Sequence, residues 1–375
     1  MKYMSAMIKP ASGLCNMRCS YCFYTDLMRR RKIYDYGIMS AETAFRIVNN
    51  ILMGLGRGDM ATLAFQGGEP TLAGIPFFTA VLDHATHEAS KAGIRIEFAL
   101  QTNGSLINEE WISLLKGRPV LIGLSMDGYM QLHNSNRKGT DGGDTYKSVL
   151  AAKKLFDQHG IRYNVMATLT NQAARHPFKM WKFIMNERIG FIQFTPCLNA
   201  LYNENRANYT LEPKRFYQFY SELFPLWAEE YKKGRYISVK LFDDLYNHFA
   251  KGMPTSCGIN GKCTVQYVCE SDGSVFPCDF YMLDEFRMGA LSESKPADLY
   301  DNASLFLSVG RDYVLKEPCK SCRYFTACNG GCKRMVNAMY LSDGICWYAK
   351  LLDDVLEPLI KIVETYSAGI RITGF

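Results

Sequence analysis

The sequence contains no run of 18 uninterrupted apolar residues, which excludes a helical membrane span. Its first residues, "MKYMSAMIKPASGLC", lack an apolar core of signal-peptide length and fit no lipidation pattern. A cytoplasmic protein is the expectation. Dense charge of one sign is also scarce. Charged residues fill 21% of 375 positions, the net charge is +6, and "RRRK" (Arg29 to Lys32) is the only dense basic run. No aromatic-studded basic motif accompanies it, so it reads as a solvated loop and no nucleic-acid partner is expected. Solenoid repeats and low-complexity tracts are absent too.

Cysteine, by contrast, is abundant. There are thirteen, too many for disulfides in a cytosolic chain, so metal binding or catalysis is the better reading. Cys15, Cys19 and Cys22 share the stretch "CNMRCSYC". Eight more lie between Cys257 and Cys346, while Cys197 and Cys269 stand apart and read as buried apolar thiols. Four thiolates close a zinc or iron–sulfur site, whereas three leave a position open for another ligand. A zinc knuckle completed by a distant residue is the plainer alternative.

The composition, 48% hydrophobic, allows a large core. Up to about residue 200, strand-like runs alternate with amphipathic helices. The runs are "MSAMIKP", "ATLAFQ", "RIEFALQT", "VLIGLSM", "YNVMATLT" and "FIQFTPC". The helices include "SAETAFRIVNNILMGLG" on a Ser40 cap, "NEEWISLLKG" from Asn108 and "DTYKSVLAAKKLFDQHG" ending at Gly160. Such alternation implies an α/β fold, a partial (β/α)6 barrel of TIM type with right-handed crossovers. Ligands of such folds bind at the carboxyl ends of the strands. There the unusual loops fall: the cysteine loop after the first strand, "QGGEP" after the second, "QTNG" after the third and "SMDG" after the fourth. Two aromatic-rich helices, "PKRFYQFYSELFPLWAEEYKKG" and "KLFDDLYNHFAKG", lead into the cysteine-rich region. The expected division is a barrel over 1–235 and a small cysteine-rich domain with a C-terminal helix over 236–375.

The C-x3-C-x2-C spacing, with Tyr21 before its last cysteine, resembles the signature of radical S-adenosylmethionine enzymes. That resemblance implies a [4Fe–4S] cluster on Cys15, Cys19 and Cys22, whose open iron is chelated by S-adenosyl-L-methionine. Reduction of the sulfonium would release a 5′-deoxyadenosyl radical, chemistry beyond any side chain. It further implies that Tyr21 belongs to the cofactor site, that Gly68 of "GGEP" meets the methionine amino group and Ser125 the ribose, and that Arg137 pairs with the carboxylate and Leu198 packs on adenine. Without the family, the last two would read as a surface arginine and a core leucine.

The later cysteines, in the layout C-x9-G-x4-C … C-x2-C-x5-C-x3-C … C, match the extension called the SPASM domain. With Cys257 they imply two further [4Fe–4S] clusters. The family's crossed pattern gives Cys257, Cys263, Cys278 and Cys332 to one, and Cys319, Cys322, Cys328 and Cys346 to the other. Two structural zinc sites are the alternative.

"IKPASGLCNMRCSYCFY", "FQGGEPTLAG", "LQTNGSLI", "ESDGSVFPCDFYMLDEFRMG" and "CNGGCKR" together resemble the anaerobic sulfatase-maturating enzymes over nearly the whole chain. These oxidise a serine or cysteine of a nascent sulfatase polypeptide to Cα-formylglycine. The resemblance makes Asp279 of "PCDFY" the base, and a flavodoxin or ferredoxin the electron donor; Tyr24 and Gln66 are candidates for holding the peptide. The bland readings are a helix cap or turn residue for Asp279 and ordinary loop packing for Tyr24 and Gln66. His84 and His87 read as a solvated helix face. The nearest rival function is crosslinking or epimerisation of a small ribosomal peptide, whose enzymes commonly carry a leader-binding domain that a cysteine motif at residue 15 leaves no room for. A plain electron carrier would gain nothing from an open iron.

Overall fold

The computed structural model describes residues 1–203, 205–309, 317–369 and 371–372. All six expected strands form, each within two residues of its sequence limits: β1 (Tyr3–Ile8), β2 (Met60–Phe65), β3 (Arg95–Thr102), β4 (Val120–Ser125), β5 (Tyr163–Leu169) and β6 (Phe191–Pro196). Their side chains alternate between faces, as a period of two requires; in β2, Ala61, Leu63 and Phe65 are buried and their neighbours half-exposed.

The connecting helices follow from caps and stripes. Among them, α1 (Phe23–Arg30) directly follows the cysteine loop. Ser40 accepts from the Thr43 amide to start α2 (Ala41–Leu52). The apolar stripe of α3 (Gly74–Ala92), with Phe77, Phe78, Val81, Leu82, Ala85 and Ala89, is buried. Phe78 meets Phe65 and Trp111 edge-on at centroid distances of 5.1 and 5.2 Å. Asn108 caps α4 (Glu109–Leu115) through the Trp111 amide. No described helix is long and apolar enough to cross a membrane.

The chain divides into two compact units that each draw on separate segments. The first holds Met1–Ser125, Arg137–Tyr163 and Thr264–Val309. In it β1 to β4 run parallel in sequence order, with Ile8 opposite Phe65 and Phe65 opposite Leu100. On the other side of β1 lies a short strand from the cysteine-rich region, Val268–Cys269. It runs parallel to β1 with Ile8 opposite Cys269, and an antiparallel strand, Ser274–Phe276, follows. The second unit holds Met126–Asn136, Asn164–Cys263 and Gly310–Phe375. Here β5, β6 and the two-residue strand Ser238–Val239 are parallel neighbours. Its core gathers Phe216, Phe219, Tyr220 and Trp227 from the helix Pro213–Lys232.

Two expectations change. Arg31 of the basic run is buried and ion-paired, because "RRRK" closes a helix that lies against the protein interior. His84 is not solvated either; it stacks on Phe45 at 4.2 Å and bonds Asn49, while His87 is exposed.

Candidate active site and thiol clusters

The site residues of the first unit sit just past the carboxyl ends of its parallel strands. Lys9, Gln66 and Asn103 are the first residues after β1, β2 and β3, and Ser125 is the last of β4. The cysteine loop folds over this edge. Its thiols lie close enough for Cys19 and Cys22 to act electrostatically on Cys15. Burial pushes the Cys15 thiol up to about 12, opposed by the Met17 amide, with Glu69 and the other thiols adding to the rise. Three crowded, half-buried thiols are poor solitary anions; a cationic core compensates such a set. The donor set fits a cluster.

The "QGGEP" loop packs on this cysteine loop. A Cβ on Gly68 would lie 2.0 Å from the Leu14 carbonyl oxygen, and the Gly68 amide donates to Ser12 at 2.9 Å. Only glycine fits such an approach of two backbones. Gly68→Ala is therefore expected to displace the cysteine loop and cost about 3 kcal/mol of stability. A lower Tm together with reduced iron retention after reconstitution checks it.

Glu69, next in the loop, is fully buried. It accepts from the Thr71 amide and hydroxyl (3.1 and 2.5 Å), the Thr102 hydroxyl (2.7 Å) and the Asn103 amide (2.7 Å). Burial raises its pKa against the pull of these bonds. Asn103 in turn donates to Asn16 Oδ1 (2.8 Å) and approaches Cys15 Sγ at 3.9 Å, so the second, third and cysteine loops form one connected network.

The other cofactor candidates fall into place unevenly. Residues 138 and 139 pair with the cysteine loop: the Arg18 amide donates to the Lys138 carbonyl at 2.7 Å, and Met17 bridges Gly139. Arg137 is thus carried to Tyr21, with its guanidinium carbon 5.6 Å from the ring centroid. Ser125 accepts from Gln101 at 2.9 Å. Leu198 belongs to the second unit, buried just past β6.

Asp279 is 5% exposed and opens a short helical turn directly after Cys278. Tyr24 donates to its Oδ2 at 2.6 Å and Gln66 Nε2 at 3.1 Å, and the same Gln66 nitrogen reaches Tyr24 Oη at 2.9 Å. The structure thus joins three separately chosen residues into one cluster. Oδ1 of Asp279 is buried without a hydrogen-bond partner. Burial raises the Asp279 pKa, and Lys9 is the largest influence opposing the rise. Tyr24 is held well above its ordinary value, by burial first and then by Asp279, so it stays a donor.

Behind Tyr24 lie three residues that sequence reading missed: Lys9, Glu270 and Arg31. Lys9 Nζ stands 3.2 Å from Glu270 Oε1, and Arg31 Nη1 reaches the same oxygen at 2.5 Å. A lysine closing an otherwise apolar strand, in "AMIKP", was the available signal.

In the second unit, Cys319, Cys322, Cys328 and Cys346 line one small cavity with Phe325, Leu341 and Tyr340. Burial, followed by the neighbouring thiols, pushes Cys328 up to about 11 despite the Gly330 amide. Cys257 is surface-exposed as a residue, but partial desolvation of its thiol, then Cys332 and Cys263, push it up to about 11. Gly258, at φ +77°, is needed here; a Cβ on it would lie 2.6 Å from the Cys332 Cβ. Cys278 belongs to the first unit. Cys197 and Cys269 are buried, as expected.

Comparison with known proteins agrees with this geometry. Residues 10–175 match the Radical SAM superfamily. The cysteine-type anaerobic sulfatase-maturating enzyme of Clostridium perfringens is 40% identical over 332 residues, 88% of this chain and 89% of that protein. The serine-type enzyme of Klebsiella pneumoniae is 27% identical over 365 residues, 94% and 87% of the two chains. Native anSMEcpe with bound AdoMet and Kp18Cys peptide superposes with a TM-score of 0.86 at 36% identity, covering 98% of this chain and all of that one. The fold is accordingly the mixed α/β partial barrel with a cysteine-rich extension. With that identity over most of both chains, and the cysteine, glycine and aspartate loops on one edge of its sheet, this chain belongs to the anaerobic sulfatase-maturating enzymes of the radical SAM superfamily.

Proposed function

We propose that the protein oxidises a cysteine in an unfolded sulfatase segment to Cα-formylglycine, as a radical S-adenosylmethionine oxidoreductase. The observation that carries this reading is the Asp279 carboxylate, with Oδ2 fixed by Tyr24 and Gln66 and Oδ1 buried and unpartnered. A dehydrated, immobilised oxygen with an unused lone pair is a proton acceptor waiting for a substrate S–H or O–H. Cysteine over serine is favoured because the cysteine-type relative is 40% identical and the serine-type relative 27%.

When bound, the clusters and S-adenosylmethionine supply a reductant, a carbon-centred radical able to remove hydrogen from carbon, and a path for the second electron. Cys15, Cys19 and Cys22 would hold the cluster to which S-adenosylmethionine binds. Gly68, Tyr21 and Ser125 would contact the methionine and nucleoside, the planar Arg137 guanidinium suits the carboxylate, and Leu198 would pack on adenine. By the family's crossed pattern, Cys257, Cys263, Cys278 and Cys332 would hold one further cluster, and Cys319, Cys322, Cys328 and Cys346 the other. Asp279 takes the substrate proton while Tyr24 and Gln66 keep its carboxylate from turning. A flavodoxin- or ferredoxin-type protein donates the electrons. Thirteen cysteines, eleven of them in cluster-ligand motifs, support a reducing, cytoplasmic setting.

The test is anaerobic incubation of reconstituted protein with S-adenosylmethionine, dithionite and paired sulfatase-derived peptides carrying cysteine or serine. The aldehyde is expected by mass spectrometry on the cysteine peptide, more slowly or not at all on the serine peptide. Deoxyadenosine without change in either peptide would transfer the assignment to another peptide maturase.

A further inference from the structure

The wall behind Tyr24 contains more charge than packing needs. Lys9 follows the last residue of β1, and its amide donates to the Cys269 carbonyl at 2.8 Å. Glu270 follows the neighbouring parallel strand at the matching register, so the two side chains emerge together. Lys9 is 1% exposed and Glu270 fully buried. Lys9 Nζ also lies 3.3 Å from Met282 Sδ and 4.3 Å from the Tyr24 ring centroid. A lysine buried this completely is rare, and an unpaired buried charge is strongly unfavourable.

Charge accounting separates two roles for Lys9. Lys9 and Arg31, both buried, converge on the same Glu270 Oε1, so one carboxylate faces two cations and one positive charge is in excess. Lys9 is the cation whose charged group also faces the Tyr24 ring. The surplus anion beside it is Asp279, joined to it through Tyr24: the ring lies against the ammonium and the hydroxyl bonds the carboxylate. Two buried cations and two buried carboxylates sum to zero.

We propose that Lys9 is a positioning residue for the oxidation: its buried ammonium holds the Tyr24 ring and balances the Asp279 carboxylate, keeping the proton acceptor fixed opposite the substrate. This rests on the reading of Asp279 as the base. A purely structural Lys9–Glu270 pair would affect folding and iron content alone. A positioning role shows in the coupling of the two half-reactions.

The experiment compares Lys9→Met, Lys9→Arg and Asp279→Asn in the full-length, reconstituted protein with the cysteine peptide, measuring iron content, peptide KM, 5′-deoxyadenosine and aldehyde. Lys9→Met is expected to keep its iron and KM while aldehyde per deoxyadenosine falls by about tenfold or more, with Lys9→Arg restoring most of it. An unchanged ratio in Lys9→Met, beside a collapsed ratio in Asp279→Asn, overturns this inference alone. An unchanged ratio in Asp279→Asn overturns the base assignment instead. Should Lys9→Met lose iron, Lys9→Met/Glu270→Gln removes both members of the pair. Iron restored with coupling still lost supports the proposal; both restored refutes it.

Discussion

Replacing Asp279 by asparagine is expected to lower formylglycine formation by about 10³-fold while deoxyadenosine still forms in the presence of peptide. Asparagine has the volume of aspartate and keeps a carbonyl oxygen for the Tyr24 hydroxyl, so the 2.6 Å bond that anchors the side chain has a replacement. What disappears is the ability to take up a proton. The unpartnered Oδ1 is the atom at stake, since Oδ2 is already engaged twice. Loss of a positioned base costs about 10² to 10⁴ in rate. Glu270 is a poor substitute: Oε2 is buried without a hydrogen-bond partner, but against the effect of burial Lys9 and Arg31 on Oε1 hold its pKa below the usual value. Quantifying both products in one incubation checks the expectation. A parallel fall of both would mean that Asp279 supports the cofactor site and not proton transfer.

The second large effect is expected from Cys19→Ala. Its thiol belongs to the trio in which Cys15 is driven up to about 12 by burial, with Cys19 and Cys22 contributing. Two thiolates and no open-iron geometry cannot retain the first cluster. S-adenosylmethionine cleavage is expected to fall below detection, with and without peptide. Iron should drop by only about a third, since the eight later cysteines are untouched. Iron analysis with electron paramagnetic resonance of the dithionite-reduced protein makes the comparison. Cleavage near the wild-type rate would remove Cys19 from the cluster.

The repeated elements were the legible part of the fold. Strand limits could be read from β-branched and aromatic runs, and the α2 and α4 starts from Ser40 and Asn108, because both signals are local. The cysteine spacing pointed to the chemistry for the same reason. Helix α1 was not legible: it begins at Phe23, after a Cys22 that provides no side-chain cap, and ends within the basic run that seemed solvated. The strands of the cysteine-rich region span only two or three residues, too few for a period to appear. Their pairing with β1 also joins residues some 260 positions apart, which no window sees. That pairing hid the Lys9–Glu270–Arg31 group. Each member looks like a surface charge until Val268–Cys269 is laid beside β1 and Glu270 meets Lys9. Asp279 was selected by resemblance, but its bonds to Tyr24 and Gln66 needed the three-dimensional arrangement.

The most direct test of the central claim uses a sulfatase-derived peptide whose target cysteine carries two deuterons on Cβ. After anaerobic turnover, deuterium in the recovered 5′-deoxyadenosine and aldehyde in the peptide are measured together. The account predicts deuterium in the deoxyadenosine matching the aldehyde formed in the wild-type protein, with deuterium transfer surviving and aldehyde lost in Asp279→Asn. Aldehyde formed with no deuterium in the deoxyadenosine would contradict it.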